Sequence, residues 1–492
     1  MSLTRRKPLS TLLDQASHSD LKRTLTATSL IALGIGAVIG AGIFVRTAAA
    51  ATEAAGPGVI VSFIIAALGC AFAGLCYAEF AAMIPIAGSA YTYAYTTMGE
   101  FVAWIIGWAL VLEYALGAAT LSISWSEYLN NLFHWGIPYQ WCHSPMEVSA
   151  AGVHGIINIP AVIILFLLSL VLIKGTQESA TLNAIIVAVK VSIVIAFVAV
   201  GWHFINPANH TPFTIPAGTP GHEGFFKHGW GGVLGGAGIV FFAFIGFDAV
   251  STAAQEAKNP ARDMPIGIMG SLAICTILYI TFGYVITGVA NWREFAIAGK
   301  EASVAYAVQH HMPGFGWLAT TITVAILAGF SSVMLVMLLG QSRVFYSMSK
   351  DGLLPKLFSD VHPRFRTPYK SNILLFFFVG AFGAFLPESV AGDLTSIGTL
   401  FAFMLVSIGV WIMRHAEPNV HRPFRTPLVP LVPILGVIVC GGMIISLDHR
   451  TQLAALGWML IGLVIYFLYS RKHSLLNEPP AVERTPDTAP VA

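Results

Sequence analysis

Of the 492 residues, 26 are basic and 24 are acidic, whereas 56% are hydrophobic. Charged residues make up about a quarter of a typical soluble domain, so a charged fraction of 10% predicts an integral membrane protein. The net charge of +2 excludes a nucleic-acid-binding protein that neutralises many phosphates with a basic surface. None of the five cysteines belongs to a Cys-x-x-Cys pair, so neither a disulfide framework nor a thiolate metal site is predicted.

Twelve low-charge segments approach the length of about 20 residues that a helix needs to cross a bilayer. Proline, glycine and clusters of charge separate them, and we number them as spans 1 to 12 in chain order. Their approximate bounds are 27–48, 58–84, 101–126, 157–173, 180–204, 231–253, 265–290, 315–348, 371–386, 391–414, 428–447 and 452–470.

Lysine and arginine are unevenly distributed between the two sides of these spans. The termini and the even-numbered connections hold 20 of the 26, the opposite loops hold five, and Lys190 lies inside span 5. Because basic residues favour the cytoplasm, both termini are predicted to be cytoplasmic. Residues 1–26 then form a cytoplasmic N-terminal arm, and residues 473–492, rich in proline and glutamate, form a disordered cytoplasmic tail.

Glycines interrupt spans 1 and 6 near the middle of the membrane. Span 1 has four glycines between Gly34 and Gly42, and span 6 has a glycine-rich start followed by Gly246 and the charged Asp248. In span 1 alone, the pair Gly36 and Gly40 is equally consistent with close helix packing through a GxxxG motif.

The two glycine-rich segments occupy corresponding places in two halves of the chain. Glu53 follows Gly42 by 11 residues, and Glu256 follows Gly246 by 10. Five spans separate the two segments, and because five is odd the second half must be inverted in the membrane. The predicted units are repeat 1 at 27–204, repeat 2 at 231–414 and two added spans at 428–470. Interrupted spans in such inverted repeats indicate a transporter's binding site.

An unwound segment inside the membrane needs partners for its freed backbone groups. The outer half of span 1 begins near Ala41 and Gly42 and would direct N–H groups and the positive end of a helix dipole at a carboxylate. The first half of span 6 ends near residues 242–245 and would direct carbonyl oxygens at an ammonium group. Together they predict a site for an α-amino acid.

Several motifs, in order, resemble those of the amino acid, polyamine and organocation (APC) superfamily, particularly bacterial members of its cationic amino acid transporter family. They lie at residues 34–44, 77–80, 85–93, 241–248, 259–265, 341–346 and 351–355. The resemblance covers about residues 20–475 and implies an all-α fold of the LeuT type, a five-plus-five inverted repeat with discontinuous helices 1 and 6. It also implies secondary transport, without ATP, across the plasma membrane, here a bacterial inner membrane. Spans 3, 8 and 10 would then face the substrate.

Three charged residues lie deep inside predicted spans, where ionisable groups usually have a function: Glu113, Lys190 and Asp248. An ammonium group removed from water can lose its proton. By resemblance, Lys190 occupies the place of a cation between spans 1 and 8 in sodium-coupled relatives, which implies proton-coupled symport. A structural ion pair with Glu113 or Asp248 and sodium-independent amino acid exchange are the alternatives.

The two buried acids each allow two interpretations. Glu113 either orients the site by a hydrogen bond to Tyr279 or meets a cationic substrate side chain. Asp248 either caps the second half of span 6 or takes part in gating.

Family similarity supplies the remaining candidates for the site, although simple packing is the commoner role for aromatic and methionine residues in membrane helices. The candidate substrate-binding residues are Ile39, Gly40, Ala41, Gly42, Phe242, Ala243, Ile245 and Met337. The candidates for gating or support of the site are Glu113, Phe244, Asp248, Tyr279, Ser331 and Ser332. The apolar lining suits small neutral amino acids and the acids suit cationic ones, so broad specificity is predicted.

No cofactor, metal ion or nucleic acid is predicted as a partner; the expected partners are an L-amino acid, a proton and the lipid bilayer. His310 and His311 have no third metal ligand nearby, and no GxxxxGK[ST] motif indicates a fused ATPase. A membrane-embedded enzyme would need clustered catalytic side chains, and a channel would need a filter or a ring of charge. Neither pattern is present, so a carrier is favoured. Protein partners are not indicated.

Overall fold

The computed structural model describes residues 5–7, 23–84, 89–133, 136–149, 151–175, 180–298 and 303–477. Within these ranges the chain is helical, with short 3-10 and π-helical segments, and two isolated bridges are its only β pairing. The predicted all-α class is therefore confirmed for the described part of the chain. Most of the predicted N-terminal arm, the tail beyond Asn477 and residues 85–88 of one motif lie outside these ranges.

The principal helices follow the predicted spans closely. They are α1 (Ala27–Val38), α2 (Val59–Met83), α3 (Ser89–Thr97), α4 (Glu100–Val111), α5 (Gly117–Phe133), α6 (Ile159–Lys174), α7 (Ala180–Gly201), α8 (Gly229–Val240), α9 (Pro260–Val289), α10 (Trp292–Ala298), α11 (Ser303–His311), α12 (Gly316–Lys350), α13 (Tyr369–Phe385), α14 (Glu388–Ala416), α15 (Leu431–Ser446) and α16 (His449–Ile465). The π-helical segments are Gly42–Arg46, Ala51–Ala55, Leu112–Leu116 and Tyr466–Ser470.

Eight helical stretches of the described residues are long and apolar enough to cross a membrane. They are Gly42–Met83, Glu100–Phe133, Ile185–Phe204, Gly229–Ser251, Pro260–Val289, Gly316–Lys350, Glu388–Ala416 and His449–His473. Helices α1, α6, α13 and α15 are apolar but shorter.

The first of these stretches is broken inside by a turn. Gly56 has a φ of +62°, which side chains other than glycine rarely adopt, and Pro57 follows it. Residues 42–55 therefore form an element separate from α2.

Helices that are far apart in sequence pack against each other in a regular order. Helix α2 contacts α9, α5 contacts α12, and α6 contacts α13. The segment Gly42–Arg46 contacts the 3-10 segment Phe241–Phe244 in the same way. Each pair joins two elements five predicted spans apart, so the interrupted segments meet in the buried centre of the molecule.

A stack of tryptophans fastens α16 to α4. The Trp108 and Trp458 rings are stacked with their centroids 4.5 Å apart, and Trp104 stacks on Trp108 at 5.7 Å. The Trp108 indole N–H donates to the Trp458 carbonyl at 2.8 Å, and the Trp458 indole N–H donates to the Trp108 carbonyl at 3.2 Å. Trp104 donates to the carbonyl of Gly462 at 2.9 Å. These reciprocal bonds satisfy every indole N–H in the stack.

The described residues of the two termini are bound to the helical body. Lys7 Nζ lies 3.0 Å from Asp351 Oδ1, and Arg5 Nη1 lies 2.7 Å from Asn477 Oδ1. Leu475–Asn477 forms a 3-10 turn, and the Ser474 hydroxyl donates to the buried carboxylate of Glu100. The first residues of the predicted tail are thus ordered, because buried polar groups of the helices hold them.

Candidate functional site

The first interruption follows α1 directly. The helix ends at Val38, Ile39 is extended with φ −74° and ψ 101°, and helical structure resumes with Gly42–Arg46. The last carbonyls of α1 consequently lack helical partners. Side chains from other helices provide hydrogen-bond donors for two of these carbonyls. Lys190 Nζ donates to the Gly36 carbonyl, and the Tyr279 hydroxyl donates to the Val38 carbonyl, both at 3.1 Å.

The second interruption follows α8. A 3-10 turn at Phe241–Phe244 leads to an extended Ile245 with ψ 134° and then to Gly246 with φ +109°. A Cβ at position 246 would also lie 2.8 Å from the Ala37 carbonyl oxygen. Glycine is therefore required here both for its backbone conformation and for space.

The two interrupted segments touch at Gly42 and Ala243. A Cβ on Gly42 would overlap the Cα of Ala243 and would lie 2.8 Å from its backbone nitrogen. A Cβ on Gly40, by contrast, would make ordinary contacts at 3.5 Å with Leu121 and 3.6 Å with Val333. Gly42 thus sets how closely the two segments approach, whereas Gly40 faces α5 and α12.

The other candidates for the substrate site lie either at the two interruptions or on α12. Ile39, Ala41, Phe242 and Ile245 are buried at the interruptions themselves. Met337 on α12 is also buried, and its sulfur would be 3.7 Å from a Cβ at position 117. Two serines of α12 are also candidates. The Ser331 hydroxyl donates to the Leu327 carbonyl of its own helix at 2.8 Å, and the Ser332 side chain is buried.

Tyr279 joins the two interruptions. Its hydroxyl oxygen lies 2.8 Å from the Ala243 carbonyl and 3.1 Å from the Val38 carbonyl, so its single proton is shared between them. Glu113, in the π-helical segment Leu112–Leu116, is fully buried, and within the described part of the chain neither of its carboxylate oxygens has a hydrogen-bond partner. The predicted Glu113–Tyr279 hydrogen bond is therefore wrong, because freed backbone carbonyls take up the tyrosine donor.

Replacing Tyr279 with phenylalanine is expected to destabilise the protein and to slow uptake. Two carbonyls freed by helix interruption lose their donor, and a buried unsatisfied acceptor costs about 1–3 kcal/mol. The measurement is the thermal unfolding midpoint together with uptake into proteoliposomes. Tyr284→Phe on the same helix is the control, since the described residues offer its hydroxyl no partner. Equal midpoints for the two variants would contradict the bridging role.

Phe244 is packed among aromatic rings. Its ring lies 6.2 Å from the ring of Phe63 and 5.2 Å from the ring of Tyr279, both edge to face, and is fully buried. These contacts connect the side chain to α2 and α9, and a gating role for Phe244 stays a prediction.

Asp248 stands at the N-cap position of the short helix Ala249–Thr252, yet its carboxylate makes no capping hydrogen bond. The geometry therefore gives the capping alternative no support, and both interpretations of Asp248 stay predictions. Asp248 Oδ1, both oxygens of Glu113 and the Tyr77 hydroxyl are all buried without a partner among the described residues. Both acids lie close enough to Tyr77 to interact with it electrostatically. Buried polar groups in this state usually bond to water or ligand, so this polar group extends the candidate site beside the apolar crossing.

Lys190 lies between α1 and α12. Its side chain is 3% exposed, it donates to the Gly36 carbonyl, and its Cε would be 3.0 Å from a Cβ at position 329. The Glu113 carboxylate accepts no hydrogen bond from any described residue, and a structural ion pair of Lys190 with Glu113 or Asp248 stays a prediction. The ammonium stabilises the end of α1 next to its interruption.

An ion cluster around Arg46 escaped the sequence analysis, which counted this residue, at the outer end of span 1, among the five basic residues on the side opposite the termini. The helical structure continues to Ala55 and buries Arg46 completely. Its guanidinium pairs with Glu388 at 3.3 Å and with Asp393, both on α14. The only signal in the sequence is the pair of acids at the start of span 10, and their partner lies more than 340 residues away.

Further hydrogen bonds hold the segment next to Arg46. The Phe44 carbonyl accepts hydrogen bonds from Ser303 of α11 at 2.9 Å and from Tyr128 of α5 at 3.3 Å. Residues 44–46 are therefore held by three helices at once. The sequence analysis missed this connection because α11 lies in a predicted loop.

Comparison with known proteins identifies the family. A family model described as amino acid permease matches residues 25–469. The branched-chain amino acid permease BcaP of Bacillus subtilis is 43% identical over 97% of this chain and 99% of the relative. The methylthioribose transporter of the same organism is 40% identical over 97% and 100%, respectively. The vacuolar cationic amino acid transporter 4 of Arabidopsis thaliana is 33% identical over 85% of this chain and 68% of the relative. With its multiple apolar helices, the chain is a multi-pass membrane protein that belongs to the amino acid permease family of the APC superfamily.

Proposed function

We propose that this protein is a secondary active transporter that moves L-amino acids across the bacterial plasma membrane by alternating access. The observation that carries the proposal is the contact between two interrupted helices at Gly42 and Ala243. Interrupted helices free backbone groups at the centre of a membrane protein, where a bound substrate can satisfy them. Saturable, stereospecific counterflow of a labelled amino acid in proteoliposomes tests the proposal, since a channel or an enzyme would not produce it.

The proposed topology has twelve spans with both termini in the cytoplasm. Because Gly56 separates residues 42–55 from α2, α1 and residues 42–55 together form one discontinuous span. The remaining long and short apolar helices then supply eleven more. Packing of α2 on α9, α5 on α12 and α6 on α13 supports an inverted repeat, since each pair has equivalent positions in the two halves.

The site is proposed to offer two surfaces to the substrate's side chain, one apolar and one acidic. Phe242, Ile245 and Met337 suit a small neutral or branched-chain amino acid, whereas Glu113 and Asp248 suit a cationic one. The names of the relatives include both classes, and the methylthioribose transporter adds a substrate that is not an amino acid. A thermal-stability screen with the twenty L-amino acids and methylthioribose separates these candidates, because a bound ligand raises the unfolding midpoint.

The proposed coupling ion is a proton carried by Lys190. When protonated, the ammonium holds the Gly36 carbonyl and thereby the end of α1; when neutral, it loses most of that attraction. Proton release towards the cytoplasm would then loosen α1 and assist substrate release. Sodium-independent exchange is the alternative, and it predicts uptake only into vesicles that already contain an amino acid.

Replacing Lys190 with alanine is expected to abolish accumulation driven by a pH gradient while counterflow continues. The change removes the ammonium group that binds the Gly36 carbonyl, so proton movement is no longer linked to α1. Uptake with and without a pH gradient measures the effect. Lys174→Ala, an exposed lysine at the end of α6, is the matched control. Gradient-driven uptake at the wild-type rate in Lys190→Ala would contradict the coupling role.

A further inference from the structure

A cavity of about 480 Å³ opens where α14 ends and the chain turns towards α15. Three arginines line it, together with His415 and Trp411. The arginines are Arg414, Arg422 and Arg425. The cavity is remote in sequence from every residue of the proposed substrate site, and neither the transport mechanism nor the helix interruptions use its charges.

Two of the arginines share one carboxylate. Arg414 Nε and Nη2 each lie 2.8 Å from an oxygen of Glu79 on α2, and Arg422 Nε lies 3.3 Å from Glu79 Oε1. Arg422 also donates to the carbonyls of Met413 and Glu417, at 3.1 Å and 2.7 Å. These two side chains are built into the protein, but Glu79 neutralises only one of their two charges.

The third arginine, Arg425, adds a positive charge that no described carboxylate neutralises. Arg425 is exposed, and among the described residues it has no hydrogen bond or ion pair. Removal from water lowers the pKa of Arg422, and the positive charges of Arg414 and Arg425 lower it further, against the opposing effects of the Glu79 and Glu417 carboxylates. The guanidinium groups therefore repel one another, and an anion in the cavity would relieve that repulsion.

The surroundings indicate that this anion is attached to acyl chains. Trp411, which lines the cavity, is 39% exposed, and Leu428 and Leu431, the chain neighbours of the lining residues Val429 and Pro430, are 72% and 50% exposed. Tryptophan is enriched where a membrane protein crosses the interface between lipid and water. Large apolar side chains next to a basic cavity fit a lipid whose headgroup enters the cavity while its chains remain along α14 and α15.

We propose that this cavity binds the phosphate headgroup of an anionic phospholipid. The headgroup phosphate accepts hydrogen bonds from Arg425 and from Nη1 of Arg414, the guanidinium nitrogen that does not bind Glu79. The acyl chains lie against Leu428 and Leu431. Bound lipid would thereby join the Glu79 cluster on α2 to the connection between α14 and α15. The proposal does not depend on which substrate the protein carries.

The test uses the full-length protein in detergent, titrated with phosphatidylglycerol and, separately, with phosphatidylcholine of the same acyl chains. Phosphatidylglycerol is expected to raise the thermal unfolding midpoint, whereas phosphatidylcholine does not. Arg425→Ala is expected to weaken phosphatidylglycerol binding about fivefold, the ratio that corresponds to roughly 1 kcal/mol per basic residue near an anionic lipid. Arg425→Lys retains most of the binding. Because Arg425 is exposed and unpaired, neither change disturbs folding.

Arg364→Ala provides a matched control, because Arg364 is another exposed arginine outside the cavity. It is expected to bind phosphatidylglycerol as the wild type does. The proposal is overturned if Arg425→Ala binds with wild-type affinity, if Arg364→Ala weakens binding equally, or if phosphatidylcholine stabilises as well as phosphatidylglycerol. It is also overturned if millimolar inorganic phosphate displaces the lipid, since the cavity would then recognise a free anion.

Discussion

Replacing Gly42 with alanine is expected to abolish transport and to lower stability. The added methyl group would overlap the backbone of Ala243, which cannot rotate away as a flexible side chain could. Overpacking of a well-packed core costs about 1–3 kcal/mol, and here it would also force the two interrupted segments apart. Uptake into proteoliposomes and the thermal unfolding midpoint measure the two effects.

The matched control for this substitution is Gly442→Ala in α15, where an added Cβ would meet no atom within 4 Å. It is expected to transport like the wild type and to be no less stable. Wild-type uptake in Gly42→Ala would mean that Gly42 and Ala243 are not in contact in any conformation that the transport cycle needs.

Replacing Arg46 with methionine is expected to be the most destabilising single substitution in the outer half of span 1. The change removes the cation that pairs with the buried carboxylates of Glu388 and Asp393, and removing one partner of a buried ion pair costs about 3–5 kcal/mol. The fall in the thermal unfolding midpoint measures the loss. Arg293→Met is the control, because Arg293 is exposed and its guanidinium only stacks on Trp292.

A second set of variants separates lost charge compensation from lost packing. Combining Arg46→Met with Glu388→Gln and Asp393→Asn removes all three charges, so part of the stability should return. If the triple variant is no more stable than Arg46→Met, uncompensated charge is not the cause of the loss.

Much of the architecture could be predicted because the bilayer restricts what a membrane chain can do. Apolar length alone located the helices, with ends such as 58–84 expected and Val59–Met83 observed. The interruptions were predictable since Gly42 and Gly246 stand at equivalent places: Gly246 has a positive φ that glycine tolerates, and Gly42 leaves room for the backbone of Ala243. The family follows from motifs around the same residues.

The partners of individual side chains could not be predicted in this way. Tyr279 and Glu113 were expected to bond to each other, but the carbonyls of Val38 and Ala243 become acceptors only once both helices have unwound. The ion pairs of Arg46 could not be predicted because its partners lie on α14, and a single sequence contains no record of that contact. Local patterns predict elements, whereas three-dimensional packing decides which polar groups meet.

The reciprocal indole bonds between Trp108 and Trp458 have a mechanical consequence. Two helices that share stacked rings and exchange backbone bonds in both directions cannot slide past each other without breaking all of these contacts. When one group of helices rocks against another, α4 and α16 must therefore travel together or stay still together. Helix α16 then moves as one rigid unit with the third predicted span, and the hinges of the motion have to lie outside these two helices.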